Sequence, residues 1–291
     1  MTLHLPAPPK ADVRKGILLM LLAIVLFTVM DAIAKGLIAR YPAPQVVWVR
    51  FAGQLALVLL LIGPRLTAAL RTRFPVLHLL RSAFQFGATA LFFLSLTRIG
   101  LAEATALTDL SPVLITLGAA LFLGEPLGWS RILGVLLAMA GAMIIIRPGA
   151  EMFSPAALMP LGAAVCFAGN ALLTRFIGPQ ESAWTSMIYA AAFGTVVAGF
   201  ALPGLWVPVA TPDLALFGCV GLLGTGAQLC IIRAFSTTEA AVIAPFAYTG
   251  IVFAALWGIL FYGEYPDVWT VVGASVIVAA GLYVWQQERR R

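Results

Sequence analysis

The sequence predicts an all-α integral membrane protein in which ten transmembrane helices form two inverted five-helix repeats. Composition is the first reason: 62% of the residues are hydrophobic, only 10% are charged, and the mean hydropathy is +1.00. Soluble domains carry roughly 25% charged residues. The second reason is that apolar runs about as long as a bilayer is thick fill nearly the whole chain. The third is that the pattern of the first half returns in the second half.

The apolar runs predict five spans in each half of the chain. The first run is too long for the apolar core of a signal peptide and lacks a small-residue cleavage site, so it is counted as a helix. The expected division is a tail at 1–14, a first repeat at 15–149, a second repeat at 150–286 and a basic tail at 287–291. The expected spans lie at about 16–39, 43–63, 74–97, 101–123, 128–146, 155–177, 183–203, 213–235, 239–262 and 267–286.

The duplication is clearest at two Gly-Glu pairs, each of which follows a predicted span. Gly124 and Glu125 end the fourth span, Gly263 and Glu264 end the ninth, and in both copies another glycine follows nine residues after the glutamate. Glycine ends helices and glutamate stays near water. Both pairs are therefore interpreted as structural corners.

Basic residues in the predicted loops set the orientation. With the N-terminus in the cytoplasm, twelve Lys and Arg residues lie on the cytoplasmic side and four on the opposite side, which is a clear positive-inside bias. Both termini are therefore predicted to be cytoplasmic. Because each half has an odd number of spans, the halves are predicted to have opposite orientations, as in alternating-access carriers. The four are Lys35, Arg40, Arg98 and Arg147, and the twelve are Lys10, Arg14, Lys15, Arg65, Arg71, Arg73, Arg131, Arg175, Arg233, Arg289, Arg290 and Arg291.

Charged side chains within the spans are the first candidates for a functional site. An Asp, Lys or Arg at the centre of a membrane helix costs on the order of 3 kcal/mol. Asp31, Arg50 and Asp109 are expected at one depth, roughly 11–12 Å below the outer surface. Such a layer suits a zwitterion or a proton. These three residues and Lys35 are candidates for substrate binding, and Asp109 and Asp31 are also candidates for ion coupling.

Several of these charges also have structural explanations. Asp31 and Lys35 are four residues apart on one helical face, so an ion pair between them is an equal alternative. Arg50 is explained equally well as a structural partner of Asp31 or of Asp109. The sequence leaves these alternatives open.

Asp109 is the first choice for contact with substrate or with a proton. It precedes Pro112 by three residues, and a proline within a span removes a backbone donor and frees a carbonyl group. Transporters place their sites at broken helices, so Pro112 and Pro245 are predicted to have structural or gating roles. A carboxyl group in a low-dielectric cavity also suits reversible protonation.

Polar and aromatic residues on otherwise apolar spans form a second set of candidates. Each polar one is also explained as an interhelical hydrogen bond, and most aromatic ones as residues that face lipid or the interface. The occurrence of polar residues near midspan in both halves favours a shared cavity. The candidates for substrate binding in this set are Gln85, Asn170, Gln228, Tyr248, Phe84 and Trp184.

These features together resemble one family of membrane proteins. The two Gly-Glu corners, the junction Ile145-Ile146-Arg147-Pro148-Gly149 and the ten-span duplication are similar to the drug/metabolite transporter superfamily, in particular its EamA-type members. The resemblance implies a secondary transporter that moves small metabolites across a bacterial inner membrane by alternating access. Amino-acid export is the leading interpretation. The alternative cargo is riboflavin, S-adenosylmethionine or another nucleoside-like metabolite.

Other classes of function fit the sequence poorly. The only histidines are His4 and His78, so no metal or nucleophilic cluster supports an enzyme, and no metal or other cofactor is expected. A channel is expected to show rings of like charge, whereas this layer has mixed signs. The basic residues sit in short loops, which argues against nucleic acid. The expected partners are a small-molecule substrate and the lipid bilayer. Small-residue faces on the fifth and eighth spans leave open a homodimer or a close contact between the halves.

Overall fold

A computed structural model of the chain describes residues 13–63, 66–123, 129–147, 155–177, 181–237 and 244–289. Every regular element in these ranges is helical. Short 3₁₀ turns at Pro155–Ala157 and Ala244–Tyr248 precede two of the helices. The α-helices are α1 (Val13–Ile38), α2 (Ala43–Ile62), α3 (Leu66–Ala69), α4 (Pro75–Ser95), α5 (Leu101–Thr108), α6 (Ser111–Leu123), α7 (Trp129–Ile146), α8 (Leu158–Ile177), α9 (Ala183–Phe200), α10 (Thr211–Thr237), α11 (Thr249–Tyr262) and α12 (Val268–Arg289).

The helices confirm the prediction of an all-α membrane fold. Their ends agree with the predicted spans to within three residues wherever both ends are described. By length and composition, seven helices are apolar enough to cross a membrane, and shorter apolar helices cover 132–146 and 246–262. These helices account for every predicted span except the fourth. The fourth span is divided between α5 and α6.

Pro112 lies at a break in the fourth span, and Pro245 lies in a 3₁₀ turn of the ninth span. In the fourth span α5 ends at Thr108 and α6 begins at Ser111, which places Pro112 in the first turn of a new helix, where no backbone donor is needed. In the ninth span the 3₁₀ turn that contains Pro245 leads directly into α11. The two prolines thus mark irregular backbone in the same span of each half.

The helices of one half pack mainly on the helices of the other half. In the centre, α2 packs on α9 and α5 packs on α11, and at one side α7 packs on α12. The remaining large contacts come in matched pairs: α1 with α10 and α8 with α4, α2 with α10 and α9 with α4, and α1 with α11 and α8 with α6. Exchanging the halves reproduces this pattern. The bundle therefore has an approximate two-fold symmetry, as an inverted repeat requires.

Small residues allow the closest approaches between the halves. The Cα of Gly221 on α10 lies 3.0 Å from where a Cβ on Gly53 of α2 would stand. On the α7–α12 pair, a Cβ on Gly141 would lie 2.8 Å from the carbonyl oxygen of Gly273. These small-residue faces are thus used within the chain to join its two halves.

We expect Gly141→Ala to destabilise the protein by about 1–3 kcal/mol, because the new methyl group would meet backbone atoms that cannot rotate away. The measurement is the midpoint of thermal unfolding in detergent. Gly218→Ala is the matched control, since a Cβ there has no neighbour within 4 Å. Equal midpoints for the two variants would contradict the close α7–α12 contact.

The Gly263-Glu264 corner ends α11. Gly263 has a left-handed backbone with φ of 64°, its N–H donates to the Ile259 carbonyl at 3.1 Å, and the Glu264 N–H donates to the Gly258 carbonyl at 3.0 Å. This is the hydrogen-bond pattern with which glycine closes helices. The equivalent corner at Gly124 and Glu125 lies outside the described residues.

Candidate functional site

Arg50 is a buried cation in the interior of the bundle. Its Nη1 donates to Thr89 Oγ1 on α4 at 2.8 Å, and its guanidinium lies 5.3 Å and 5.9 Å from the ring centroids of Phe51 and Phe93. The charge that acts on it is that of Asp31 on α1, although no ion pair within 4.0 Å joins the two among the described residues. The Nε atom of Arg50 is buried and has no hydrogen-bond partner within the described part of the chain. Of the two acids that the sequence left open as partners for Arg50, Asp31 is the one whose charge reaches it.

A line of polar groups continues from Arg50 along the α4–α8 contact. Thr89 donates to the carbonyl oxygen of Gln85, and the side-chain oxygen of Gln85 accepts a hydrogen bond from Asn170. Thr174 then donates to the carbonyl oxygen of Asn170 at 2.7 Å. Gln85 belongs to the first half and Asn170 to the second. The candidates Gln85 and Asn170 therefore join the two halves directly.

The same line ends at Arg81, which is buried near the opposite end of α4. Its Nε donates to Thr174 Oγ1 at 2.6 Å, and its Nη1 donates to the carbonyl oxygen of Ser186 on α9 at 3.1 Å. Arg81 thus connects α4 to both α8 and α9. A cation occupies each end of the polar line, Arg50 at one end and Arg81 at the other.

Asp109 lies in the break between α5 and α6, and no hydrogen bond or ion pair joins it to Arg50 among the described residues. The charge of Asp109 acts on Tyr248, the last residue of the 3₁₀ turn before α11. The hydroxyl group of Tyr248 packs directly against Gly281 on α12, where a Cβ would overlap it. The Oδ2 atom of Asp109 is buried without a hydrogen-bond partner in the described ranges. This atom is available to a proton or to a positively charged group.

Lys35 does not join the central charges, because it pairs with the Glu264 corner. Its Nζ lies 2.5 Å from Glu264 Oε1 and donates to the carbonyl oxygen of Ile99 at 2.9 Å. The other carboxylate oxygen of Glu264 accepts from the N–H of Leu101, at the start of α5, at 3.0 Å. The corner thus ties α1, α5 and α11 together. The sequence allowed a local pair between Asp31 and Lys35. In the structure Lys35 pairs with Glu264 instead, and the charge of Arg50 acts on Asp31.

A cavity of about 640 Å³ opens beside this ion pair, at the end of the bundle where α1 terminates. We call it the vestibule. It has charged groups of both signs, and a second ion pair in its wall joins Arg147 to Asp267 at 2.5 Å. Hydrogen bonds from Thr270 and Arg147 hold the pKa of Asp267 below its usual value, against the opposing effect of burial. The charged residues in the wall are Lys35, Arg98, Glu103, Arg147, Glu264 and Asp267.

The other candidates occupy packing positions. Trp184 packs against a cluster of buried apolar residues that includes Val58 and Met187, at the end of α2 away from the vestibule. Phe84 lies against Gly169 of α8. Gln228 is half-buried on α10. The structure does not bring these three side chains to the Asp31–Arg50 pair or to Asp109.

A further network that the sequence did not indicate closes the turn between α1 and α2. Asp213 at the start of α10 accepts from Arg40 Nη1 at 2.6 Å and from the hydroxyl group of Tyr41 at 2.8 Å. Gln45 exchanges two hydrogen bonds with the backbone of Val207. These contacts fix the α1–α2 turn to the segment between α9 and α10.

A ten-span helical bundle with buried charges between two matched halves defines a polytopic membrane protein of the transporter class. The comparisons specify the family. The model of the EamA-like transporter family matches residues 14–147 and 154–285, and the chain belongs to this family.

Relatives with assigned functions are transporters. The chain is 33% identical over 272 residues to the pseudopaline exporter CntI of Pseudomonas aeruginosa, covering 92% of this chain and 94% of that protein. It is 30% identical over 280 residues to a riboflavin transporter of Rhizobium johnstonii, covering 95% and 92%. It is 27% identical over 275 residues to an S-adenosylmethionine uptake transporter of Rickettsia bellii, covering 94% of each. A solved structure with 20% identity aligns with a TM-score of 0.64 over 95% of this chain and 98% of its own, which supports the same fold.

The protein is therefore a multi-pass membrane transporter and not an enzyme. Its relatives carry different cargoes, so family membership does not select the substrate.

Proposed function

We propose that the protein is a secondary carrier that exports small zwitterionic metabolites, most directly amino acids, across the bacterial inner membrane by alternating access. The observation that carries this proposal is the charge of half-buried Asp31 acting on buried Arg50 in the interior of the bundle. A bilayer makes such charges expensive, and they are usual where a substrate or an ion must pass. An acid and a base in the same part of the interior match the two charges of a zwitterion.

The position of the pair between the halves supports alternating access. Asp31 and Arg50 are on α1 and α2, which pack on α10 of the second half, and Thr89 connects Arg50 to the line of polar groups that reaches α8. In inverted-repeat carriers one half rocks against the other around a site at their interface. Rocking of this bundle would expose the pair to one side and then to the other.

Asp109 is proposed as the ion-coupling residue. It lies in a helix break, and its Oδ2, which has no hydrogen-bond partner among the described residues, is free to take a proton. Because no hydrogen bond or ion pair joins Asp109 to Arg50 in that part of the chain, protonation of Asp109 breaks no contact of Arg50. One group thus serves the ion and the other serves the substrate.

A flavin or a nucleoside-like metabolite is the second candidate cargo. Aromatic rings extend from Arg50 toward α9. Its guanidinium lies over the ring of Phe51, the ring centroids of Phe51 and Phe86 are 5.8 Å apart, and those of Phe86 and Phe193 are 6.2 Å apart. Flat rings bind well among such side chains. A riboflavin transporter among the relatives also favours this candidate.

The test is uptake by proteoliposomes that contain the purified protein, with a mixture of labelled amino acids, with and without an imposed proton gradient. We expect saturable amino-acid uptake that responds to the gradient. Saturable uptake of riboflavin in place of amino acids would select the second candidate. Uptake that rises without limit as the concentration of substrate is raised would contradict a carrier.

The predicted orientation, with both termini in the cytoplasm, makes the vestibule the side facing away from the cytoplasm. We expect a cysteine introduced at exposed Arg98, in a background without the three native cysteines, to react with a membrane-impermeant maleimide in intact cells. A cysteine at Arg14, which is exposed at the opposite end, is the matched control and should react only after the membrane is opened. The reverse labelling pattern would contradict the orientation.

A further inference from the structure

We propose that the vestibule is a second binding site for the zwitterion, in which Arg98 binds the carboxylate of the substrate and Glu103 binds its ammonium group. This inference rests on the proposed carrier function and adds a second binding site for the same class of substrate. It is carried by the charge balance of the cavity wall, which leaves one acid and one base without an oppositely charged partner among the described residues.

Four of the six charged groups in the vestibule are already paired. Lys35 is 2.5 Å from Glu264, and Arg147 is 2.5 Å from Asp267. The acid of each pair also accepts a hydrogen bond from the start of a helix. Glu264 accepts from the N–H of Leu101 at the start of α5, and Asp267 accepts from the N–H of Thr270 in the first turn of α12 at 2.8 Å. These four groups therefore hold the wall together.

Glu103 and Arg98 remain. Within the residues that the structure describes, neither side chain has a cationic or anionic group within 4.0 Å. Glu103 is half-buried in the first turn of α5, where the backbone of Gly100 is its hydrogen-bond partner. The charges that act on Glu103 are those of Asp267, Arg147 and Lys35, and the two cations are engaged elsewhere. An ammonium group in the cavity would supply the positive charge that Glu103 needs as a partner.

Arg98 provides the opposite charge at the rim. It is exposed, and it lies in the short segment between α4 and α5 that forms one wall of the cavity. A guanidinium group binds a carboxylate through two parallel hydrogen bonds. Arg98 and Glu103 line the same cavity, and no ion pair joins them in the described structure, so each would offer an opposite charge to a ligand that carries both.

The volume and place of the cavity suit a small substrate on its way through the bundle. Ligand pockets are roughly 300–1,000 Å³, and this one has about 640 Å³. Lys35 in its wall is four residues from Asp31, which is about 6 Å along α1. The vestibule therefore lies about one turn of α1 away from Asp31. The two sites present the same two charges in succession.

Ligand-induced thermal stabilisation of the full-length protein in detergent tests this proposal without relying on transport. The twenty L-amino acids are screened first. The tightest binder is then compared with its decarboxylated amine and its deaminated acid, in the wild type, Arg98→Gln and Glu103→Gln. Arg14→Gln controls for the loss of an exposed arginine at the other end of α1.

We expect Arg98→Gln to weaken binding of the amino acid and of the deaminated acid at least tenfold, and to leave binding of the amine unchanged. Glu103→Gln should weaken the amino acid and the amine and leave the acid unchanged. Loss of all three ligands to the same extent, or of none, would overturn the assignment. Amino-acid flux in proteoliposomes without this crossed pattern would leave the carrier standing and remove the vestibule site. Absence of both flux and stabilisation by any amino acid would remove both proposals.

Discussion

The double variant Asp31→Lys/Lys35→Asp is expected to prevent the folded protein from accumulating in the membrane. The exchange places a lysine beside Arg50 and an aspartate beside Glu264, so each native attraction becomes a repulsion between like charges. Leaving a buried charge such as Arg50 without its counter-charge costs about 3–5 kcal/mol, and a whole domain is stable by only about 5–15 kcal/mol. The partly exposed Lys35–Glu264 pair adds a smaller loss, because water screens it. Together the two losses remove a large part of the stability.

The same double variant separates the two explanations that the sequence allows. If Asp31 and Lys35 simply neutralised each other at i and i+4, exchanging them would preserve the pair. The control is Lys35→Glu/Glu264→Lys, which retains an ion pair and loses the hydrogen bond to the N–H of Leu101. We expect the control to accumulate at a reduced level, measured by size-exclusion chromatography of a fluorescent fusion. Wild-type accumulation of the Asp31→Lys/Lys35→Asp protein would contradict the long-range pairing.

Asp109→Asn is expected to reduce gradient-driven transport to the background of empty liposomes while the protein folds normally. Asparagine has almost the same shape as aspartate but takes up no proton, so the coupling step is lost. Because Asp109 Oδ2 has no hydrogen-bond partner among the described residues, the substitution breaks no observed contact of that atom. The unfolding midpoint should therefore stay at or above that of the wild type.

Asp213→Asn is the matched control, because it is the same substitution at a carboxylate with a structural role. Arg40 and Tyr41 both donate to Asp213, so its loss should lower the unfolding midpoint. The protein that remains folded should still transport. Gradient-driven rates in Asp109→Asn equal to those of the wild type would remove Asp109 from the mechanism.

The helices were predictable because their signal is local. A run of apolar residues as long as a bilayer is thick specifies a membrane helix without knowledge of its neighbours. The same is true of the break at Pro112 and of the 3₁₀ turn at Pro245, since a proline changes the backbone at its own position. The opposite orientation of the halves followed from an odd number of spans in each.

The partners of the charges were not predictable in the same way. Lys35 has an acid four residues away, but it pairs with Glu264 in the other half, and no local pattern shows that preference. Gln85 and Asn170 were both recognisable as polar residues on apolar spans. Their hydrogen bond depends on the contact between α4 and α8, which only the assembled bundle defines.

The role of the charged residues in the vestibule was not predictable for a different reason. Arg98 and Arg147 were visible in the sequence as loop charges. Their significance comes from which of them remain without a partner. That requires knowledge that Arg147 pairs with Asp267, 120 residues away in the chain.

Counterflow tests the central claim, alternating access around an interior zwitterion site, most directly. Proteoliposomes are loaded with an unlabelled amino acid at high concentration and diluted into a trace of the same labelled amino acid, with no gradient of protons. An alternating-access carrier exchanges the two, so the account predicts that label accumulates transiently inside above its external concentration. Label that only equilibrates, with no overshoot and no saturation, would contradict the account and indicate a channel.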